Sequence, residues 1–105
     1  MAKYGTANFN IYGKLLAVPR LEQNGDFKYA MMDMEIVTRN QKTKEEKTQV
    51  VQVKATMYDA ENIAKYGKRD AFYYVQGSIM SKEWQDKNGV TKYFYELVAG
   101  KILGG

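Results

Sequence analysis

An all-β barrel of five strands with one short helix is the fold this sequence predicts, and three observations predict it. Apolar residues recur at every second position in four separate segments, the period of a half-buried strand, and a fifth segment, "VTKYFYELVA", follows them. Only one segment carries start and stop signals for a helix, and it falls between the third and fourth of those five. An Asn-Gly turn signal, Asn88-Gly89, then joins the last two as a hairpin.

In the first segment, "NFNIYGKLL", Phe9, Ile11, Gly13 and Leu15 alternate with Asn8, Asn10, Tyr12 and Lys14. The apolar set faces the core. After the lone Pro19 and a "QNGD" turn, Ala30, Met32, Met34 and Ile36 alternate with Met31, Asp33 and Glu35, with methionine as adaptable core filler. "TRNQKTKEEKTQ", residues 38–49, is polar throughout and reads as a long hairpin loop, either solvated or able to reach phosphates. The third strand puts Val51, Val53, Ala55 and Met57 on one face and Val50, Gln52, Lys54, Thr56 and Tyr58 on the other. Asp59 can then cap the free amides of "AENIAKY", and Gly67 can end that helix in a left-handed conformation. The fourth strand sets Tyr73, Val75, Gly77 and Ile79 against Phe72, Tyr74, Gln76, Ser78, Met80, Lys82 and Trp84, and the hairpin leads into "VTKYFYELVA". Three strands, a helix and two strands are the element order of the OB-fold, a five-stranded Greek-key barrel.

Composition limits what such a domain can do. At 105 residues and 45% apolar content the chain closes one core, and we read residues 1–105 as one domain. No apolar run approaches the roughly 18 residues that span a bilayer, and "MAKYGTANFN" lacks a signal peptide's apolar segment, so no membrane role and a cytoplasmic or nucleoid-associated location are expected. The chain has no cysteine and no histidine, which excludes disulfides, the usual zinc sites and the commonest general base. For an enzyme the best remaining pair is Asp33 and Glu35 on one strand face, but no third acid joins them to hold a metal ion. Gly13-Lys14 is followed by Leu15 and lacks the glycine-rich stretch of a phosphate loop. Neither an enzyme nor any cofactor is expected.

Sixteen Lys plus Arg against twelve Asp plus Glu leave a net charge of +4, which favours a polyanion without requiring one. Nine tyrosines, four phenylalanines and one tryptophan lie scattered among the cations, an arrangement that suits base stacking as well as core packing. Trp84 is the telling residue. It stands between Lys82 and Asp86 in a hydrophilic stretch, on the strand face opposite Val75 and Ile79, and so points away from the core. An exposed indole near a hairpin tip either stacks on a base or covers Tyr93 or Tyr95 across the hairpin, and the pattern alone leaves both open.

Several pieces of the chain resemble the bacterial and phage single-stranded DNA-binding protein family, in order, from about Asn8 to Ile102. Asn8 with Gly13-Lys14-Leu15 is similar to the family's opening strand, and Ala60-Glu61-Asn62-Ile63 to the start of its helix. Gly77, Trp84, Asp86, Gly89, Tyr93 and Glu96 resemble its last hairpin, where an aromatic at the tryptophan position stacks on DNA. The resemblance implies an OB-fold that assembles as a homotetramer or dimer and holds single-stranded DNA by aromatic stacking and Lys or Arg contacts. Trp84 carries over as a stacking residue and Lys82 as its basic neighbour; Tyr74 and Tyr58 follow from strand face. Lys54, Lys14, Lys87 and Arg39 are candidate phosphate contacts by face or loop position.

Three departures stand beside the resemblance. The family's third-strand aromatics fall near Val50 and Thr56 here, the loop "VPRLEQNG" is shorter and lacks the acidic residue before proline, and the chain ends "KILGG" with no acidic tail. Recruitment of replication proteins through such a tail is not expected of this chain. The competing expectation is an OB-fold interaction module that binds a protein partner through its aromatic face and DNA only weakly.

Overall fold

The computed structural model describes residues 5–104. Residues 1–4, part of the segment read above as leaderless, and Gly105 of the "KILGG" end lie outside the described residues. The elements run β1 (Asn8–Leu15), β2 (Glu22–Asn24), β3 (Phe27–Arg39), β4 (Glu46–Thr56), α1 (Met57–Tyr66), β5 (Phe72–Gln85) and β6 (Thr91–Gly104). The five expected strands are β1, β3, β4, β5 and β6. The three residues of β2, part of the stretch "VPRLEQNG" read above as loop, pair with the start of β3, so the helix follows the fourth strand in chain order. Among the described residues no helix is long and apolar enough to cross a membrane.

The barrel closes because β1 pairs on both sides. Its length runs antiparallel to β5, from Asn8 opposite Ser78 to Lys14 opposite Phe72, while Lys14 and Leu15 also pair with Glu35 and Met34 of β3. From β5 the sheet continues through β6, β4 and β3, with β4 and β6 parallel at Val53–Leu97 and Lys54–Val98. Gly13 permits the closure. A Cβ there would stand 2.6 Å from the Glu35 carbonyl oxygen, too close for any side chain.

The alternation read from the sequence sorts the core correctly. Leu15, Met32, Met34, Val53 and Val75 are completely buried, as are Ala30 and Ala55. From the helix Ala60 and Ile63 cap the barrel, and Tyr73 joins them with its hydroxyl accepting the Lys68 amide at 2.9 Å, so its one polar atom is satisfied. Met31, on the other face of β3, is only half-buried.

Four local expectations change. Half of the polar stretch 38–49 is strand, because β3 and β4 stay paired out to Arg39–Glu46 and leave a loop of residues 40–45. That turn is tied by the Asn40 side chain, which accepts the Lys42 amide at 2.9 Å and the Thr43 amide at 3.2 Å. The third expected strand stops at Thr56, since Met57 takes a φ of 51° and turns the chain into α1; Met57 and Tyr58 therefore belong to the helix, and the strand-face placement of Tyr58 is corrected. The helix starts three residues before "AENIAKY", with extended Thr56 as its N-cap, and Asp59 sits inside the first turn, where its charge complements the helix dipole. Gly67 ends the helix at a φ of −59°, not in the left-handed region, and donates its amide to Ile63 O at 3.0 Å. Glycine is required there because a Cβ would collide with that same carbonyl.

Gly13→Ala is expected to lower stability by about 1–3 kcal/mol, the range for forcing an added methyl into a packed site. The midpoint of urea unfolding should fall with the slope unchanged.

Candidate nucleic-acid interface

Residues directly opposite one another on neighbouring strands share a sheet face. From the observed pairings, the outer face of β5–β6 carries Ser78 beside Val98, Met80 beside Glu96, Lys82 beside Phe94 and Trp84 beside Lys92. Lys54 and Thr56 of β4 extend the same face beside Val98, and Met31 and Tyr29 of β3 lie opposite them. The curl of the sheet turns this face into an open groove of about 570 Å³, walled by Phe27, Lys54 and Thr56 on one side and by Ser78, Met80 and Lys82 on the other, with Glu96 and Val98 in its floor.

Glu96 organises the cations in the groove. Its carboxylate lies 3.5 Å from the Lys54 ammonium and 3.6 Å from that of Lys82. Two cations share one anion, so the groove keeps a net positive charge. Lys54 is well covered, its side chain 17% exposed, and its ammonium also sits 5.0 Å from the Tyr29 ring centre and 5.4 Å from that of Phe27. Lys82 is the more open cation of the pair, its side chain 50% exposed.

Two residues beyond Lys82, Trp84 is 50% exposed with the Lys92 ammonium 5.8 Å from its ring. The alternative that Trp84 covers Tyr93 or Tyr95 fails on register. Those tyrosines pair with Glu83 and Ser81 on the opposite face of the hairpin, and they are 61% and 69% exposed. The hairpin is held by Asp86, whose Oδ1 accepts the amides of Asn88 at 2.9 Å and Val90 at 3.0 Å, while Gly89 takes a φ of 76°.

Of the residues expected from sequence, Trp84, Lys82 and Lys54 come together on this face, with Lys87 exposed in the turn next to Trp84. The rest lie elsewhere. Tyr74 lies near the start of β5, between Tyr12 of β1 and Leu103 of β6, with its hydroxyl accepting from Gln76 at 3.1 Å. Lys14 pairs with Glu35 at 3.6 Å near the barrel closure, Arg39 stands at the end of the β3–β4 ribbon, and Tyr58 projects, 73% exposed, from the first turn of α1. The two acids weighed as a metal pair are each engaged within the sheet, Asp33 by Gln52 at 3.1 Å and Glu35 by Lys14.

Phe27, Tyr29, Phe94 and Lys92 were not singled out from the sequence. For the first two a signal exists: carrying the period of β3 back from Met31 places Tyr29 and Phe27 on the face opposite Ala30, Met32 and Met34.

An OB barrel whose open face combines flat rings with cations is built to hold an extended anionic polymer that has planar groups along it. Residues 7–103 match the Single-strand binding protein family, and the chain belongs to that family. A solved structure described as "Plasmodium falciparum SSB complex with ssDNA" is similar over 99% of this chain and 98% of that one, with a TM-score of 0.69 and 21% identity. At that identity the likeness is one of fold.

Asp86→Ala removes the acceptor for two turn amides and is expected to cost the hairpin about 1 kcal/mol of local stability. Amide exchange at Asn88 and Val90 should speed up about fivefold, with the barrel core unaffected.

Proposed function

We propose that this chain binds single-stranded DNA with little regard to sequence and shields it during replication, recombination or repair, without catalysis. The observation that carries the reading is the alignment of Trp84, Lys82 and the groove on one outer face, in a chain of this family. A base stacks on the exposed indole, and Lys82, Lys87 and Lys92 meet phosphates beside it. Stacking accepts any base because every base has a π-face, whereas a duplex keeps those faces covered. Such a protein works where single strands occur, in the cytoplasm or on the nucleoid.

The same proposal includes assembly as a homo-oligomer, a tetramer or dimer. What supports it is the apolar surface on the β1–β5 side, where Tyr12 and Phe72 stack at 5.5 Å and both are exposed. Sedimentation of the purified chain tests the assembly.

Titrating Trp84 fluorescence with a thymidine homopolymer should give strong quenching that salt weakens, with a slope of about −0.7 per phosphate contacted, and no quenching with duplex. Weak, salt-insensitive association would instead favour a protein-binding module. Trp84→Ala should weaken binding by about 1–3 kcal/mol in a folded protein. Glu96→Gln frees the exposed Lys82 from its anion, so it should tighten binding and steepen the salt slope by about 0.7 for the phosphate newly engaged.

A further inference from the structure

A second ring system lines the groove at the end away from Trp84. Phe27 and Tyr29 stack on each other with centres 6.0 Å apart and planes 25° from parallel, and Phe27 remains exposed at the groove wall. Lys54 holds both, its ammonium within reach of the two rings on one side and of Glu96 on the other. These contacts cover most of Lys54 and leave it little freedom to follow a mobile phosphate. A phenylalanine at the wall of a cationic groove, braced by a tyrosine and a lysine, presents a flat apolar ring to whatever enters the groove.

The register gives its place relative to Trp84. Trp84 lies opposite Lys92, Val98 stands beside Lys54, and Thr56 lies opposite Tyr29. From Lys92 to Val98 is six residue steps and from Lys54 to Thr56 two more, so the second ring pair lies eight steps further along the strand direction. Measured along the backbone that is roughly 26 Å at about 3.3 Å per residue, a path that the curl of the sheet shortens through space. The groove with Met80, Lys82 and Thr56 fills the interval.

We propose that Phe27 is a second base-stacking platform for single-stranded DNA, positioned by Tyr29 and Lys54, and that one strand runs along the groove from the Trp84 hairpin to Phe27. Lys54 is thus a positioning residue for the ring, and Lys82 is the phosphate contact between the two platforms. The proposal rests on the single-strand reading above and adds to it where the strand goes. The β4 positions near Val50 and Thr56 hold no ring here, and β3, the adjacent strand, supplies one instead.

The test uses the full chain and a thymidine homopolymer. Phe27→Ala should weaken binding about five- to 150-fold, Phe27→Leu should weaken it nearly as much, and Phe27→Trp should restore or exceed the original affinity, because stacking needs a ring and not merely apolar bulk. In a Trp84→Phe, Phe27→Trp double variant, the new indole should be quenched by the single strand and not by duplex. Lys54→Met should loosen the ring and lower affinity while flattening the salt slope by less than the loss of one phosphate contact, about 0.7. If the wild-type protein binds the strand but Phe27→Leu binds equally well and the indole at position 27 is not quenched, the second platform is wrong and the single-strand reading stands. If Trp84 in the wild-type protein is not quenched and no strand is bound, that underlying reading has failed first.

Discussion

The barrel depends on one strand serving two neighbours. β1 pairs with β5 over its length and then, at Lys14 and Leu15, with β3, and only a glycine at position 13 lets its backbone come against the Glu35 carbonyl. A sheet left open there would expose the edge of β1 and the stretch of β3 around Met34 and leave Leu15, Met32 and Met34 partly in water. Closure therefore fixes the core, and it also curls the sheet. The curl makes a groove of what would otherwise be a flat outer face.

The groove combines interactions that are individually modest. Partly exposed ion pairs such as Lys82–Glu96 contribute at most about 1 kcal/mol, and cation–π contacts at exposed sites about as much. Their value lies in arrangement. Glu96 keeps two ammonium groups close together that would otherwise repel, while Lys54 is tied down between Glu96 and two rings. The site so built is firm on the β3–β4 side and open on the hairpin side, where Trp84 and Lys82 meet solvent. A binder of many sequences needs rings and charges held in place but no base-edge pattern.

Most of the fold was legible because each strand has one buried face, so period two marks both its existence and its orientation. The failures share a different cause. Residues 38–49 looked like loop because their pairing lies beyond the core, where the alternation has no buried side to reveal it. Thr56 and Met57 continue the apolar alternation of β4, and only the backbone turn at Met57 separates strand from helix. Gly67 looked like a left-handed cap, whereas its smallness serves a close approach to Ile63. That Trp84 and Lys82 share one exposed strand face was legible from their spacing of two. Tyr74 shares that face by alternation but lies near the start of β5, between Tyr12 of β1 and Leu103 of β6 and far along the strand from Trp84.

By itself the sequence determined the fold class, the composition of the core and the exposure of Trp84, since these follow from local periodicity and from which side chains avoid water. Tertiary structure alone decided which exposed residues form one surface. Phe27, Lys54, Lys82 and Glu96 are separated by as many as 69 positions, the difference between 96 and 27, and meet only because β3, β4, β6 and β5 lie side by side in an order the chain does not follow. That order is set by barrel closure and by the parallel pairing of β4 with β6, contacts between distant segments that leave no periodic trace in either.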